Sequence, residues 1–332
     1  MSESAQEWRL VRRPHGYPVA EDVELVDVPV PEPRPGEVLV RNAYLSVDPY
    51  MRGRMNDAAS YAAPYQLGAA MWGGAVGHVV ASDVERFPVG AAVRHGRGWR
   101  THAAVNAREL ELVDEQAAPL TAYLGVLGMP GLTAWVGLFD IAEVRPGETV
   151  WVSAASGAVG SLVGQLAKQI GCRVIGSAGG ADKAKALVDD LGYDVGLDHR
   201  AGDLEGQLRA AAPDGLDVYF ENVGGEHLRA ALAVLNPFGR IAACGMIADY
   251  NDRQPGPDNL FLIVGKKLTV RGFIVSDHAH RTAAFERHVA PLLRSGAVVY
   301  PETVEDGIDK TFDAFVGMLR SGSRTGKLVV KV

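Results

Sequence analysis

Thr149-Val150-Trp151-Val152-Ser153-Ala154-Ala155-Ser156-Gly157-Ala158-Val159-Gly160 is the stretch that decides the fold. Val150, Trp151 and Val152 form a short apolar, β-favouring run that leads into a chain of small residues. Beyond it Leu162, Leu166 and Ile170 recur at i, i+4 and i+8, with Val163 and Ala167 on the same face, so the glycine-rich turn opens an amphipathic helix. Gly171 stands where such a helix ends on a left-handed residue, and Arg173-Val174-Ile175-Gly176 follows as a second strand. This strand, turn, helix and strand suit a pyrophosphate: small residues let the backbone come close, and the free N–H groups and positive end of the helix face the anion. Ala155, Gly157 and Gly160 fill the three positions of G-x-G-x-x-G, with alanine for the first glycine, and the flanking elements supply the context that the motif needs. A helix packed closely on its sheet with no ligand would use the same residues.

The end of the second strand chooses the dinucleotide. An NAD site places a carboxylate there for the ribose hydroxyls. Here Ser177-Ala178-Gly179-Gly180-Ala181-Asp182-Lys183 leaves room, with Lys183 as a cation about where a 2′-phosphate would lie and Asp182 as the expected N-cap of the next helix. NADPH is therefore favoured over NADH. An ordinary solvated lysine in a first helical turn is the alternative for Lys183.

With 332 residues the chain can build two domains, each with its own core. A net charge of −7 without a Lys/Arg-rich cluster speaks against a nucleic-acid partner. Two cysteines, Cys172 and Cys244, exclude a disulfide framework and fit a reducing compartment such as the cytoplasm. The first seven residues lack a basic region followed by an apolar one, so no secretory signal is expected. Residues 117–139 carry no charge, but Gly125, Gly128, Pro130, Gly131 and Gly137 argue for buried packing between domains and no membrane partner.

Residues 8–110 alternate in short runs punctuated by Gly and Pro, notably 23–28, 37–44, 74–80 and 90–93, which suggests a barrel-like β domain. From about residue 127, helices and strands alternate: a helix over 133–139, a helix over 182–191, strands at 194–197 and 218–220, a helix over 226–235, a turn at 236–239, strands over 240–245 and 268–275, and a helix over 281–294. That pattern is a parallel, doubly wound α/β sheet, whose ligands lie outside the carboxyl ends of the strands. Asn222, residues 244–250 and residues 273–275 fall along such a trough. The tail, a helix over 308–319 and a strand over 327–332, matches the first domain, so the expected division is 1–126 completed by 299–332, and 127–298.

A catalytic zinc needs about three protein ligands and a structural zinc four sulfurs. Two cysteines with His78, His95 and His102 show no ligand spacing, and a metal-free protein is expected.

Five blocks together resemble the zinc-independent medium-chain dehydrogenase/reductases, in the branch of leukotriene B4 12-hydroxydehydrogenase, prostaglandin reductase and NADPH-dependent curcumin reductase. They are Val47-Asp48-Pro49-Tyr50-Met51-Arg52-Gly53-Arg54-Met55; Gly128-Met129-Pro130-Gly131-Leu132-Thr133-Ala134-Trp135; the 154–160 loop; Glu221-Asn222-Val223-Gly224-Gly225; and residues 239–247 with Tyr250-Asn251. The resemblance implies a GroES-like β-barrel domain plus a Rossmann domain, a homodimer through edge strands, and reduction of the C=C bond of an α,β-unsaturated ketone or aldehyde by NADPH. It carries Tyr250 over as the proton or oxyanion donor, and Tyr50 and Met129 into the substrate pocket. For the cofactor it implies Gly157, Ala158, Val159, Gly160, Lys183, Asn222, Cys244, Gly245, Met246, Ile247, Tyr250, Phe273, Ile274 and Val275. His199 stands where relatives have tyrosine near the 2′-phosphate, with Arg200 beside it, and Arg324 lies in the loop where relatives have asparagine at the nicotinamide end. A quinone reductase and a cofactor-binding protein with little turnover are the rival readings.

Overall fold

A computed structural model of the chain describes residues 4–58, 60–252, 255–321 and 325–332. It opens with β1 (Ser4–Leu10), β2 (Val23–Pro29), β3 (Glu37–Ser46), the single turn α1 (Met51–Arg54), β4 (Ala75–Ser82), β5 (Ala92–His95), β6 (His102–Asn106) and β7 (Glu111–Leu112). There follow α2 (Met129–Val136), β8 (Thr149–Val152), α3 (Gly160–Gln169), β9 (Arg173–Ala178), α4 (Ala181–Asp189), β10 (Val195–Asp198), α5 (Leu204–Ala211), β11 (Leu216–Glu221), α6 (Gly225–Val234) and β12 (Leu235–Ala243). The chain then runs through α7 (Leu262–Gly265), β13 (Thr269–Gly272), α8 (Thr282–Arg294), β14 (Glu302–Asp306), α9 (Thr311–Ser321) and β15 (Lys327–Lys331). Two units result: Met1–Gly125 with Glu302–Arg324 and Leu328–Val332, and Val126–Pro301 with Thr325–Lys327.

In the first unit a seven-stranded sheet runs β14-β15-β3-β4-β5-β7, with β6 also on β3, while β1 and β2 form a separate hairpin. Alternation dictates its buried face: Val38 and Val40 of β3 are fully buried and meet Val79, Val93, Ala103 and Val105. The chain's last strand, β15, pairs antiparallel with β3 at Val329 and Ser46. Trp99 lies edge-on to Phe315 of α9 at 5.8 Å, and the Trp8 indole donates to the carbonyl of Ile308 at 2.8 Å.

The second unit is a six-stranded sheet in the order β10-β9-β8-β11-β12-β13, parallel at every pairing. The central strands β8, β9 and β11 are nearly all buried, as expected where helices cover both faces of a sheet. The order reverses between β8 and β11, which is the topological switch point, and all six carboxyl ends lie on one edge. The expected doubly wound α/β fold is present.

Four local expectations change. Asp182 is the second residue of α4, not its N-cap: the turn needs Gly180 at φ +104, and the carboxylate that accepts the Gly180 N–H, at 2.7 Å, is Asp198 of β10. The expected turn at 236–239 lies inside β12, where the pairing with β11 slips register and Phe238 turns to φ +66. The strand expected over 268–275 is only Thr269–Gly272, so Phe273, Ile274 and Val275 lie beyond its carboxyl end. The uncharged 117–139 stretch begins α2 early, at Met129, with Pro130 in the first turn where a missing N–H costs nothing. Among the described residues no helix is long and apolar enough to cross a membrane.

Two buried histidines set an acid limit. Burial and the nearby Arg100 and Arg97 push His95 down to about 3, and burial with His199 beside it pushes His227 to about 3. The His95 Nδ1 accepts the Arg97 N–H at 3.0 Å, which fixes it as unprotonated. In the unfolded chain both titrate near 6.5, so below that pH the unfolded state binds more protons and stability falls, by about 2 kcal/mol for each at about pH 5. The Tm should drop between about pH 7 and 5, and His227→Gln should reduce that drop by roughly half when thermal unfolding is followed by circular dichroism.

Candidate active site

The site is built from the loops that leave the carboxyl ends of the parallel strands. After β8 the chain turns through Ala154, at φ +47, into Gly157 and Gly160. A Cβ on Gly160 would stand 2.5 Å from the carbonyl oxygen of Ala154, so only glycine lets α3 start here. The alanine in the motif's first position is accommodated elsewhere: a Cβ on Gly176 of β9 would stand 2.8 Å from the Ala155 methyl. Gly176 thus supplies the space that the motif's first glycine would otherwise leave. No side chain caps α3. The N–H groups of Val159 and Gly160 enter no backbone bond among the described residues, leaving donors at the positive end of a ten-residue helix, while Gly157 is bridged to Gly326 and Ser156 accepts the Gly326 N–H at 2.7 Å.

After β9 and β10, three basic side chains converge. A Cβ on Gly179 would stand 2.9 Å from Nε of Arg200 and 3.1 Å from Nε2 of His199, so both side chains lie directly over this glycine. Asp198 fastens the two turns together, accepting the N–H groups of Gly180 at 2.7 Å and Arg200 at 2.9 Å. Those bonds hold its carboxyl below the usual range. A basic cluster in which burial, and then Arg200, hold Lys183 and His199 below their usual range is poised for an anion. A cavity of about 240 Å³ runs beside the turn, with Ser156 and Lys183 among its lining residues and Tyr300, Pro301 and Thr325 on its other side.

After β11 and β12 the chain builds one hydrogen-bonded wall. Asn222 donates its N–H to the Ser153 hydroxyl at 2.9 Å and its side-chain amide to the Ser153 carbonyl at 2.8 Å, which ties the two strands that flank the switch point. Cys244 and Gly245 donate to the Glu221 carbonyl at 2.9 and 3.0 Å, and Ile247 donates to the Asn222 carbonyl at 3.1 Å. Met246 lies against Gly224, whose Cβ would stand 3.2 Å from it. The Tyr250 hydroxyl rests over Gly245, 3.2 Å from where a Cβ would project. Burial, with the Glu221 carboxylate nearby, pushes the Cys244 thiol up to about 12, although the residue keeps some exposed surface.

The second unit therefore brings Gly157–Gly160, Lys183, His199, Asn222, Cys244–Ile247, Tyr250 and Phe273–Val275 to one sheet edge. Met129 is the first residue of α2, 40% exposed. Tyr50 stands in the first unit, its ring 4.6 Å below the Arg54 guanidinium, and burial with Asp48 raises its phenol. Arg324 lies outside the described residues. Sequence reasoning gave no role to Asp198, Ser153 or Glu221; a carboxylate closing an otherwise apolar strand was the available signal for Glu221. Among the described residues no group of three or more His, Cys, Asp or Glu side chains is placed to hold a metal ion.

A doubly wound sheet with a glycine-rich turn, a basic cluster and a tyrosine at the switch point defines a dinucleotide-dependent oxidoreductase. Residues 6–113 match the family described as the N-terminal domain of oxidoreductase, and residues 158–293 that described as zinc-binding dehydrogenase. The chain is 42% identical over 332 residues to the NADPH-dependent curcumin reductase of Escherichia coli, covering 98% of this chain and 96% of that one. It is 40% identical over 324 residues to the NADP(+)-dependent 2-alkenal reductase of Nicotiana tabacum, covering 96% and 94%. The crystal structure of CurA from Vibrio vulnificus in complex with NADPH superposes with a TM-score of 0.94 at 41% identity, covering 98% and 99%. The chain belongs to the medium-chain dehydrogenase/reductases, in the branch of prostaglandin reductase, 2-alkenal reductase and curcumin reductase.

If Lys183 meets a 2′-phosphate, Lys183→Ala should raise KM for NADPH by about 10- to 100-fold and KM for NADH by less than about threefold in initial-rate assays. If His199 meets the same phosphate, burial and Arg200 start it below its ordinary pKa and it should gain a proton as the phosphate binds. Affinity for NADPH should therefore rise as pH falls through the window between the free and bound values, and His199→Gln should flatten that rise in fluorescence titrations.

Proposed function

We propose that this protein reduces the C=C bond of α,β-unsaturated ketones and aldehydes with NADPH. The observation that carries the reading is the Tyr250 hydroxyl lying over Gly245 beside the switch point, at one end of a sheet edge whose other end gathers Lys183, His199 and Arg200. The relatives named for curcumin and 2-alkenal reduction support it.

In this reading the Gly157–Gly160 turn faces a pyrophosphate and the basic cluster the 2′-phosphate. Asn222, Cys244–Ile247 and Phe273–Val275 line the remainder. When bound, NADPH supplies the hydride that reaches the β carbon of the alkene. Tyr250 donates a hydrogen bond to the developing enolate oxygen, or a proton to the α carbon, since a tyrosine hydroxyl is protonated at neutral pH. Tyr50 and Met129 contact the substrate. We assign the first unit as the GroES-like substrate domain and the second as the nucleotide domain, for which the expected bounds are 1–126 completed by 299–332, and 127–298.

We further propose a homodimer formed through the sheet edge. All four residues of β13, the outermost strand, are exposed, and Phe261, Val264 and Val270 present apolar surface at 71, 81 and 45% exposure. The cytoplasm is the compartment that two free thiols suit.

A panel of enones, enals and quinones assayed for NADPH oxidation should give saturated products with the carbonyl intact, identified by mass spectrometry; reduction of quinones alone would overturn the reading. Tyr250→Phe should lower kcat by on the order of 10²-fold with little change in NADPH affinity.

A further inference from the structure

Glu221 closes β11 and is fully buried. One carboxylate oxygen, Oε1, accepts four hydrogen bonds: from the N–H groups of Val223 at 2.6 Å and Gly224 at 2.8 Å, and from the hydroxyls of Tyr219 at 2.8 Å and Ser153 at 3.3 Å. The other oxygen, Oε2, is buried without a hydrogen-bond partner among the described residues. No cation pairs with the carboxylate among the described residues either. Burying an acid this way costs free energy that a neutral side chain would avoid, so the arrangement calls for something that the carboxylate holds in return.

A chain of backbone bonds hangs from it. The Val223 carbonyl accepts the Ala248 N–H at 3.0 Å, the Asn222 carbonyl accepts the Ile247 N–H at 3.1 Å, and the Ile247 carbonyl in turn accepts the Tyr250 N–H at 3.3 Å. The Glu221 carbonyl holds Cys244 and Gly245 directly, and Gly245 is the residue beneath the Tyr250 hydroxyl. The turn that carries Tyr250 is thus suspended from Asn222 and Val223, and the Glu221 carboxylate fixes the peptide that bears both. Ser153 extends the same tie to the end of β8.

We infer that Glu221 is a positioning residue: its carboxylate locks the 222–224 peptide so that the 245–250 turn presents the Tyr250 hydroxyl to the substrate. The inference rests on the enone-reductase reading for its catalytic consequence and on geometry alone for the mechanical one. Glu221 acts through Tyr250 and touches no reacting atom. Desolvation raises its carboxyl above the usual range, and the Gly224 and Val223 N–H groups, then the Tyr219 and Ser153 hydroxyls, oppose that rise.

Glu221→Gln keeps the shape and removes the charge that strengthens the bonds to Val223 and Gly224. On the full chain without cofactor, hydrogen–deuterium exchange should accelerate by about tenfold or more in peptides covering 245–250 and stay unchanged in peptides from β9 and from the first unit. With NADPH and an enone, kcat should fall by about tenfold or more, while the Kd for NADPH rises by clearly less than that factor, because the 222–224 and 244–247 lining loosens but the basic cluster that faces the phosphate is untouched. Glu221→Asp, which keeps the charge, should recover part of the protection. The inference is overturned if Glu221→Gln keeps both the 245–250 protection and kcat. It is overturned equally if exchange rises throughout the chain and NADPH affinity falls in step with kcat, which is the signature of a structural role only. Should the wild-type protein reduce no enone, the functional reading fails, and the exchange comparison still decides the positioning role.

Discussion

The site depends first on how closely α3 approaches the sheet. A helix can present free N–H groups to a ligand only if its first turn is neither capped by a side chain nor held away by bulk. Here Gly160 lets the first turn lie against Ala154, Gly176 makes room for the Ala155 methyl, and the buried Tyr193 hydroxyl donates to the Gly160 carbonyl at 2.6 Å. The first two contacts are made by a missing or minimal side chain. Restoring bulk at either would push the turn outward and carry away the donors that face an anion.

The two ends of the sheet edge are organised by different forces. At the β9–β10 end the arrangement is electrostatic: Lys183, His199 and Arg200 lie together, burial and then Arg200 lower the first two, and Asp198 commits its carboxylate to backbone N–H groups. At the β11–β12 end it is directional, a mesh of hydrogen bonds around a buried carboxylate. Charge gathers an anion from a range of poses, whereas a hydroxyl must be aimed. The contrast explains why the second region is built from short, buried bonds around Ser153, Glu221 and Asn222.

The fold was legible because hydrophobic periodicity and glycine placement are local signals. Leu162, Leu166 and Ile170 announced α3, and Gly171, at φ +84, ended it. The basic cluster was partly legible, since Lys183 follows its strand directly, but Asp198 was not: its bond to Gly180 reaches across eighteen residues. That distance also hid the true anchor of the turn into α4. Ser153 and Glu221 are 68 residues apart and meet only because β8 and β11 are neighbours in the sheet, a fact of topology that no window of sequence contains. The end of β13 was misread because Phe273-Ile274-Val275 favours a strand in isolation, while the chain there leaves the sheet.

The two thiols have a consequence of their own. Burial, with Glu148 and Glu221 respectively beside them, pushes Cys172 up to about 11 and Cys244 up to about 12. An alkene conjugated to a carbonyl is also an electrophile, and the nucleophile it captures is the sulfur anion, not the neutral thiol. Cys244 sits on the wall beside Tyr250, where such a molecule would be held longest. Burial first, and then the same carboxylate that braces the wall, holds that thiol in its neutral form.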